Sequence, residues 1–367
     1  MRAQGSTGKT VRIGVIGTGG MAHAHARVYA RLRNVRMAAC CDVSKERAAA
    51  FAAKWHIPAS YTDAADMLSR EKLDGVSIAT PDATHAALSV LALEQGVCVL
   101  CEKPMAANLS EAEQMLAAAG RSGLVHMVNF SKRESSGLQA AREAVRAGVI
   151  GRVMHMEASY LQSWLVSTDW GDWRTTPAFT WRLSTRHGSA GTLGDIGCHI
   201  YDMASFLCGD ITELFCKLAV YDKGVPGNRI GEYVLDANDS FASTVTFSGG
   251  AIGTIHATRW AVGFVNREFV RVYADKGCID VDFNRSLNSY RIYLQASKKW
   301  KTVTCRPTPT NYERFVRAIA EGVRDESDFQ NGFRIQQYLD ASFRSDAQKT
   351  PVAISTGTAP AGAGGHT

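Results

Sequence analysis

The hydrophobic pattern divides this chain into two halves. In the first, short apolar runs at 11–16 (VRIGVI), 35–41 (VRMAACC), 59–61, 74–79 (DGVSIA), 97–101 (VCVLC) and 124–129 alternate with helical stretches near 20–31, 44–54, 64–70, 84–95 and 110–121. The run at 97–101 is apolar at every position, so a strand there needs cover on both faces, as parallel strands have. Strands alternating with helices of this length predict a right-handed, doubly wound parallel sheet. After Asn129 the alternation stops. A helix near 138–147 precedes strand-like runs at 153–161, 241–247, 251–257, 269–273, 278–282, 290–294 and 301–305, with turn signals such as SGG and DKG between them. That pattern predicts a large, open, mostly antiparallel sheet, closed by helices at 312–322 and 331–345. The chain is thus read as a flexible N-terminus (1–10), a doubly wound domain (11–129), a second α/β domain (130–354) and a disordered tail (355–367).

Chemistry gathers where the first-half strands end. The first strand runs into GTGGMA (17–22) and a helix. Gly17 suits a tight turn, Gly19 and Gly20 allow a pyrophosphate to approach, and Met21 follows at the helix start, whose N–H groups face the phosphates. The second strand ends at Asp42, about 20 residues on, where a carboxylate would hydrogen-bond a ribose 2′-OH. This spacing points to NAD. Lys45 and Arg47 leave NADP open. After the 74–79 run, TPDATH places Thr80, Pro81 and His85 at the same edge of the sheet, as cofactor contacts, as a helix start, or as both.

The 97–101 run ends abruptly in Glu102, Lys103 and Pro104. The proline interrupts the ladder and pushes Lys103 towards an extended backbone, so its ammonium should emerge at the carboxyl edge, the ligand crevice of open α/β sheets. Asn129 ends the next strand at the same edge. In the second half, 191–207 (GTLGDIGCHIYDMASFL) reads as one helix, with Ile196, Ile200, Met203 and Leu207 as an apolar stripe. Asp195, His199 and Asp202 form a column beside it, at the rim of the core, where carboxylates could hold an imidazole. The segment before it carries Trp164, Trp170, Trp173 and Trp181 with Arg174 and Arg182, suited either to stacking on a sugar or to a subunit interface.

Composition narrows the partners. With 46% hydrophobic and 21% charged residues the chain reads as a globular protein, and its 41 basic against 35 acidic residues are spread along it, without a nucleic-acid signature. No stretch is long enough to span a bilayer, so no membrane partner is expected. Nine cysteines, many inside apolar runs, fit buried thiols and a cytoplasmic location. The Cys98/Cys101 pair would face opposite sides of a strand, and His23 and His25 point apart, so no metal site is expected.

Taken in order, GTGGMA, ATPDATH, CEKP, GVIGRV, GDIGCH and DFQNGFRIQQYLDA resemble the glucose-fructose oxidoreductase, inositol dehydrogenase and rhizopine-catabolism (Gfo/Idh/MocA) family of NAD(P)-dependent oxidoreductases, over nearly everything from 11 to 354. The resemblance implies a Rossmann domain plus an α/β domain whose sheet often mediates dimers or tetramers. It implies that Lys103 lies at the nicotinamide and the substrate, that Pro104 is commonly cis, and that Asp195 and His199 line the substrate pocket. Where many members read Arg-Phe after the asparagine strand, this chain has Arg133 and Glu134.

The expectation is an NAD-dependent dehydrogenase that oxidises a secondary hydroxyl of a sugar, sugar derivative or inositol. Lys103, His199 and Asp195 would be catalytic: His199 as base, Asp195 orienting it, Lys103 polarising the oxygen or relaying the proton. Gly17, Gly19, Gly20, Met21, Asp42, Thr80, Pro81, His85, Glu102, Lys103 and Asn129 would bind the cofactor. Lys103, Asp195, His199, Trp181 and Arg182 would bind substrate. A homodimer or homotetramer would form through the C-terminal sheet. The alternatives are an enzyme that retains NAD and processes glycosides through transient oxidation, and a dinucleotide-binding sugar sensor without catalysis.

Overall fold

In the computed structural model, which describes residues 10–355, the alternating first half forms a six-stranded, all-parallel sheet. Its strands are β1 (Val11–Ile16), β2 (Val35–Cys41), β3 (Ala59–Tyr61), β4 (Gly75–Ile78), β5 (Cys98–Cys101) and β6 (His126–Val128), in the order β3-β2-β1-β4-β5-β6. The order reverses between β1 and β4. A doubly wound sheet with this reversal opens a crevice beyond the carboxyl ends of those two strands. The expected flexible ends fall largely on residues 1–9 and 356–367, which lie outside the described residues.

Two units make up the chain, one of the residues up to Asn129 with Pro309–Phe333, the other of Phe130–Thr308 with the residues from Arg334 onwards. The segment Pro309–Phe333 thus joins the first unit, where the sequence reading had put it with the second half. Its helix, Asn311–Glu321, starts at a Thr310–Glu313 capping box and buries Tyr312, Phe315 and Val316 against Val11, Ile13, Leu100 and Met127 of the parallel sheet. That apolar face needs cover, and the sheet's own crossover helices do not supply all of it.

The second unit carries a nine-stranded sheet. Its strands are β7 (Val153–Gln162), β8 (Ile211–Ala219), β11 (Ser240–Phe247), β12 (Ile252–Thr258), β13 (Asn266–Ala274), β14 (Gly277–Asp282), β15 (Ser289–Leu294), β16 (Lys299–Thr304) and β17 (Val352–Ala353), while β9 (Arg229–Ile230) and β10 (Tyr233–Val234) form a separate ribbon. The order β16-β15-β14-β13-β7-β12-β11-β8-β17 is antiparallel at every pairing except β12 with β7. One face is covered by helices, and helix Cys198–Cys208 buries Ile200, Met203 and Leu207 there, as the apolar stripe predicts. Two other features differ from the sequence reading. β8 was not foreseen, because ITELFCKLA sets charges among its apolar positions. Trp164 and Trp173 sit in an apolar cluster with Leu165, Leu183 and Leu235 rather than facing a ligand.

Candidate active site

At the tip of β1 the chain turns through Gly17, whose φ is +84°, and a Cβ there would lie 2.7 Å from the Ala79 carbonyl oxygen beyond β4. Only glycine fits, and the contact places GTGG directly at the strand-order reversal. Gly19, Gly20 and Met21 are exposed, and helix Gly20–Tyr29 begins with no side-chain cap and no acid in its first turn. Its first N–H groups are thus left without a capping side chain, the arrangement in which a helix start takes an anion.

Asp42, just after β2, braces this loop. Its Oδ2 accepts from Thr18 N–H (3.0 Å) and Thr18 Oγ (2.8 Å), and its Oδ1 accepts from Ser44 N–H (2.9 Å) and from Arg47 through Nε (3.1 Å) and Nη2 (2.6 Å). Burial pushes its pKa up, but Arg47, Ser44 and Thr18 outweigh this and hold it at about 2. The residues present fit a dinucleotide: an open helix start for the pyrophosphate and an ionised carboxylate for the ribose. Of the two cations that leave NADP open, Arg47 is the one paired with Asp42.

Beyond β5, Lys103 is half-buried and precedes a cis peptide bond to Pro104. The Glu102 carboxylate faces inward and is 6% exposed; it accepts from His25 Nε2 (2.7 Å) and Asn129 Nδ2 (2.6 Å). Asn129 is held in turn by Asn311 Nδ2, which donates to its Oδ1 at 2.9 Å, and donates to Tyr312 Oη at 3.1 Å. His25 Nδ1 meets Ser77 Oγ at 2.7 Å. Burial raises the Glu102 pKa, yet His25, Asn129 and Lys103 bring it below the usual value, so a carboxylate lies beneath Lys103. Three of the residues expected at the cofactor have their side chains engaged inside the unit. Glu102 and Asn129 spend their hydrogen bonds inside the unit, and His85, with no exposed surface, bonds the carbonyls of Pro104 and Thr80. Thr80 and Pro81 do reach the surface at this edge.

In the second unit, the expected single helix starts differently. Leu193–Gly197 winds as one π-helical turn before helix Cys198–Cys208. Gly197 lets it pack, since a Cβ there would sit 2.9 Å from the Phe241 ring. The wider turn shifts Asp195 relative to the α-helical column. Its Oδ2 accepts from Arg259 Nη2 at 3.0 Å and lies 3.8 Å from Arg182 Nε. The column is also deeper than expected: His199 is 6% exposed and Asp202 fully buried. Asp202 takes Arg133 in a bidentate pair, with Oδ2 at 2.9 Å from Nε and Oδ1 at 2.8 Å from Nη2. Arg133 is therefore a structural cation. The His199 ring lies between Phe130 and Tyr160, each centroid 6.4 Å away. Trp181 and Arg182 share a short 3₁₀ turn, the guanidinium 4.7 Å from the indole, and Arg182 lies near Asp195.

Sequence reasoning missed Arg259. It follows β12, is fully buried, stacks over Trp164 at 4.8 Å and donates to the Arg182 carbonyl at 3.2 Å. Burial lowers its pKa and Asp195 opposes that. The signal was present in HATRW, a charge at the end of an apolar strand, the same cue that singled out Lys103.

Two family models match the chain, an NAD-binding Rossmann fold of an oxidoreductase family over residues 11–130 and a GFO/IDH/MocA C-terminal domain over 138–280. The chain belongs to the GFO/IDH/MocA family of oxidoreductases. Among curated relatives, the family member named levoglucosan dehydrogenase, from Pseudarthrobacter phenanthrenivorans, is 26% identical over 94% of this chain and 98% of its own length. D-apiose dehydrogenase of Paraburkholderia graminis is 29% identical over 83% of this chain and 75% of its own. D-glucoside 3-dehydrogenase of Escherichia coli is 25% identical over 95% and 99%. The solved structure of levoglucosan dehydrogenase with NADH and levoglucosan superposes with a TM-score of 0.83, at 26% identity, covering 94% of this chain and 99% of that one. The first domain is thus an NAD-binding Rossmann domain. No helix among the described residues is long and apolar enough to cross a membrane.

Proposed function

We propose that this protein is an NAD-dependent dehydrogenase that oxidises a secondary hydroxyl of a sugar, sugar derivative or inositol to a ketone. The observation that carries the reading is the E-K-P segment: within a buried run at the carboxyl edge of the sheet, next to the strand-order reversal, Lys103 is the half-exposed cation above a buried carboxylate. Relatives that act on levoglucosan, apiose, glucosides and inositol support the substrate class. Bound nicotinamide supplies the hydride acceptor. The chain's own task is the hydroxyl proton, which must leave as the hydride does. Lys103 polarises the oxygen or relays its proton, and His199 serves as base. Asp195, paired with Arg259 and beside Arg182, accepts a hydrogen bond from a substrate hydroxyl, with Trp181 adjacent. Asp42 favours NAD over NADP.

Assembly as a homodimer or homotetramer is assigned to the open face of the nine-stranded sheet. Register aligns Ile252, His155, Tyr273, Cys278, Tyr293 and Trp300 in one cross-strand row there, beside a charged row of Glu157, Arg271, Asp280 and Arg291. Buried thiols such as Cys40 and Cys98 suit the reducing cytoplasm.

The test is a panel of pyranosides, anhydrosugars and inositols with NAD, read as NADH absorbance. Lys103→Ala should lower kcat by about 10²–10⁴-fold with NAD affinity little changed. Parallel loss of NAD binding and turnover would contradict the role given to Lys103.

A further inference from the structure

His85 begins helix His85–Glu94 and has no solvent-exposed surface. Both ring nitrogens face backbone carbonyl oxygens: Nδ1 is 2.8 Å from that of Pro104, and Nε2 is 3.0 Å from that of Thr80. A neutral imidazole has one N–H and one lone pair, whereas a carbonyl oxygen can only accept. Either neutral tautomer would aim a lone pair at an oxygen in a buried site, losing one hydrogen bond and adding repulsion. Only the imidazolium satisfies both oxygens.

We propose that His85 is a permanently protonated positioning residue whose two N–H groups tie the Thr80 carbonyl after β4 to the Pro104 carbonyl after β5. The other groups acting on the ring are the Cys101 thiol, from β5, and the Asp82 carboxylate, from the turn before the helix. Burial pulls the pKa down, while Cys101, Asp82 and the Pro104 carbonyl outweigh it and raise it to about 10. The tie sets the spacing of two turns, one carrying Thr80 and Pro81, the other Lys103. That this spacing serves NAD binding rests on the function proposed above; the charge itself does not.

The experiment uses the full chain with ¹⁵N-labelled histidine. At pH 8.5 a histidine of ordinary pKa, about 6.5, has lost its extra proton. NMR should still show one histidine with both ring nitrogens protonated, and that signal should vanish in His85→Gln, or in His85→Asn if the glutamine variant does not fold. A spectrum without such a signal, or one in which it survives the substitution, overturns the charged tie. An amide can donate to one carbonyl but turns an oxygen on the other, so the variant's Kd for NAD should rise about tenfold. An unchanged Kd overturns the positioning role. If the wild-type protein binds no NAD, the proposed function fails, and the NMR result still decides the charge.

Discussion

The two units hold their candidate side chains by different means. Beneath Lys103, Glu102 is held by an imidazole and an amide, Asn129 by a second amide and a phenol, and His85 by two carbonyls. Around His199 and Asp195, the supports are full charge pairs: Arg133 with Asp202, Arg259 with Asp195 and, nearby in the same unit, buried Lys223 with Asp239 at 2.9 Å. The parallel sheet gathers six strand ends at one edge, where backbone groups and short polar side chains meet without crossing a gap. The second unit brings together a helix flank and distant strand ends, and long arginines span that separation. The first unit, with histidines in its buried scaffold, should respond to pH, while a scaffold of buried arginine–carboxylate pairs should be intolerant of losing a single partner.

The sharpest break in that comparison is Arg133→Leu. It removes the bidentate partner of a fully buried carboxylate and should cost about 3–5 kcal/mol of stability. The double variant Arg133→Leu/Asp202→Leu should recover much of it in thermal or denaturant unfolding. If single and double variants are equally destabilised, the ion pair is not the support it is taken to be here. A smaller effect is expected of Arg259→Leu, which leaves Asp195 with its Arg182 partner at 3.8 Å. The KM for the sugar should rise about tenfold or more while the Kd for NAD stays put. A fall in NAD affinity of the same size would mean that Arg259 acts on the whole fold and not on Asp195.

The remaining effect belongs to the first unit and has a definite sign. The folded-state pKa of His85 is raised from 6.5 to about 10, so its stabilisation is complete below pH 6.5 and is lost as pH rises through 10. Wild-type melting temperature should therefore fall more steeply between those limits than that of His85→Gln. Parallel curves would remove His85 from the account.

Much of the first unit was legible because its signals are local. The strands at 11–16, 35–41 and 59–61 appear where the apolar runs place them, and the turn at Gly17, the carboxylate at Asp42 and the exit at Lys103 follow from residues within one or two turns of each position. Where the reading fell short, the deciding contact was remote or the pattern ambiguous. Asp195 was read beside His199 because an α-helix stacks positions four apart; nothing in GDIG announces the π turn or the contact with Arg259. At His85, a strand's carboxyl edge gives no local cue that both ring nitrogens face carbonyls inside.

By itself, the order of residues determined most of the strands and helices, though not β8 or the π turn, that the first half is a doubly wound nucleotide-binding sheet, and where its nucleotide loop and lysine emerge. Periodicity and turn chemistry act over a few residues and are written in the chain directly. Tertiary structure alone decided that Asp195 meets Arg259, 64 residues away, that Asp202 meets Arg133, 69 residues away, and that helix Asn311–Glu321 covers the first sheet. Those pairings depend on which surfaces burial brings together, and a charge excluded from water takes whatever partner the packing presents.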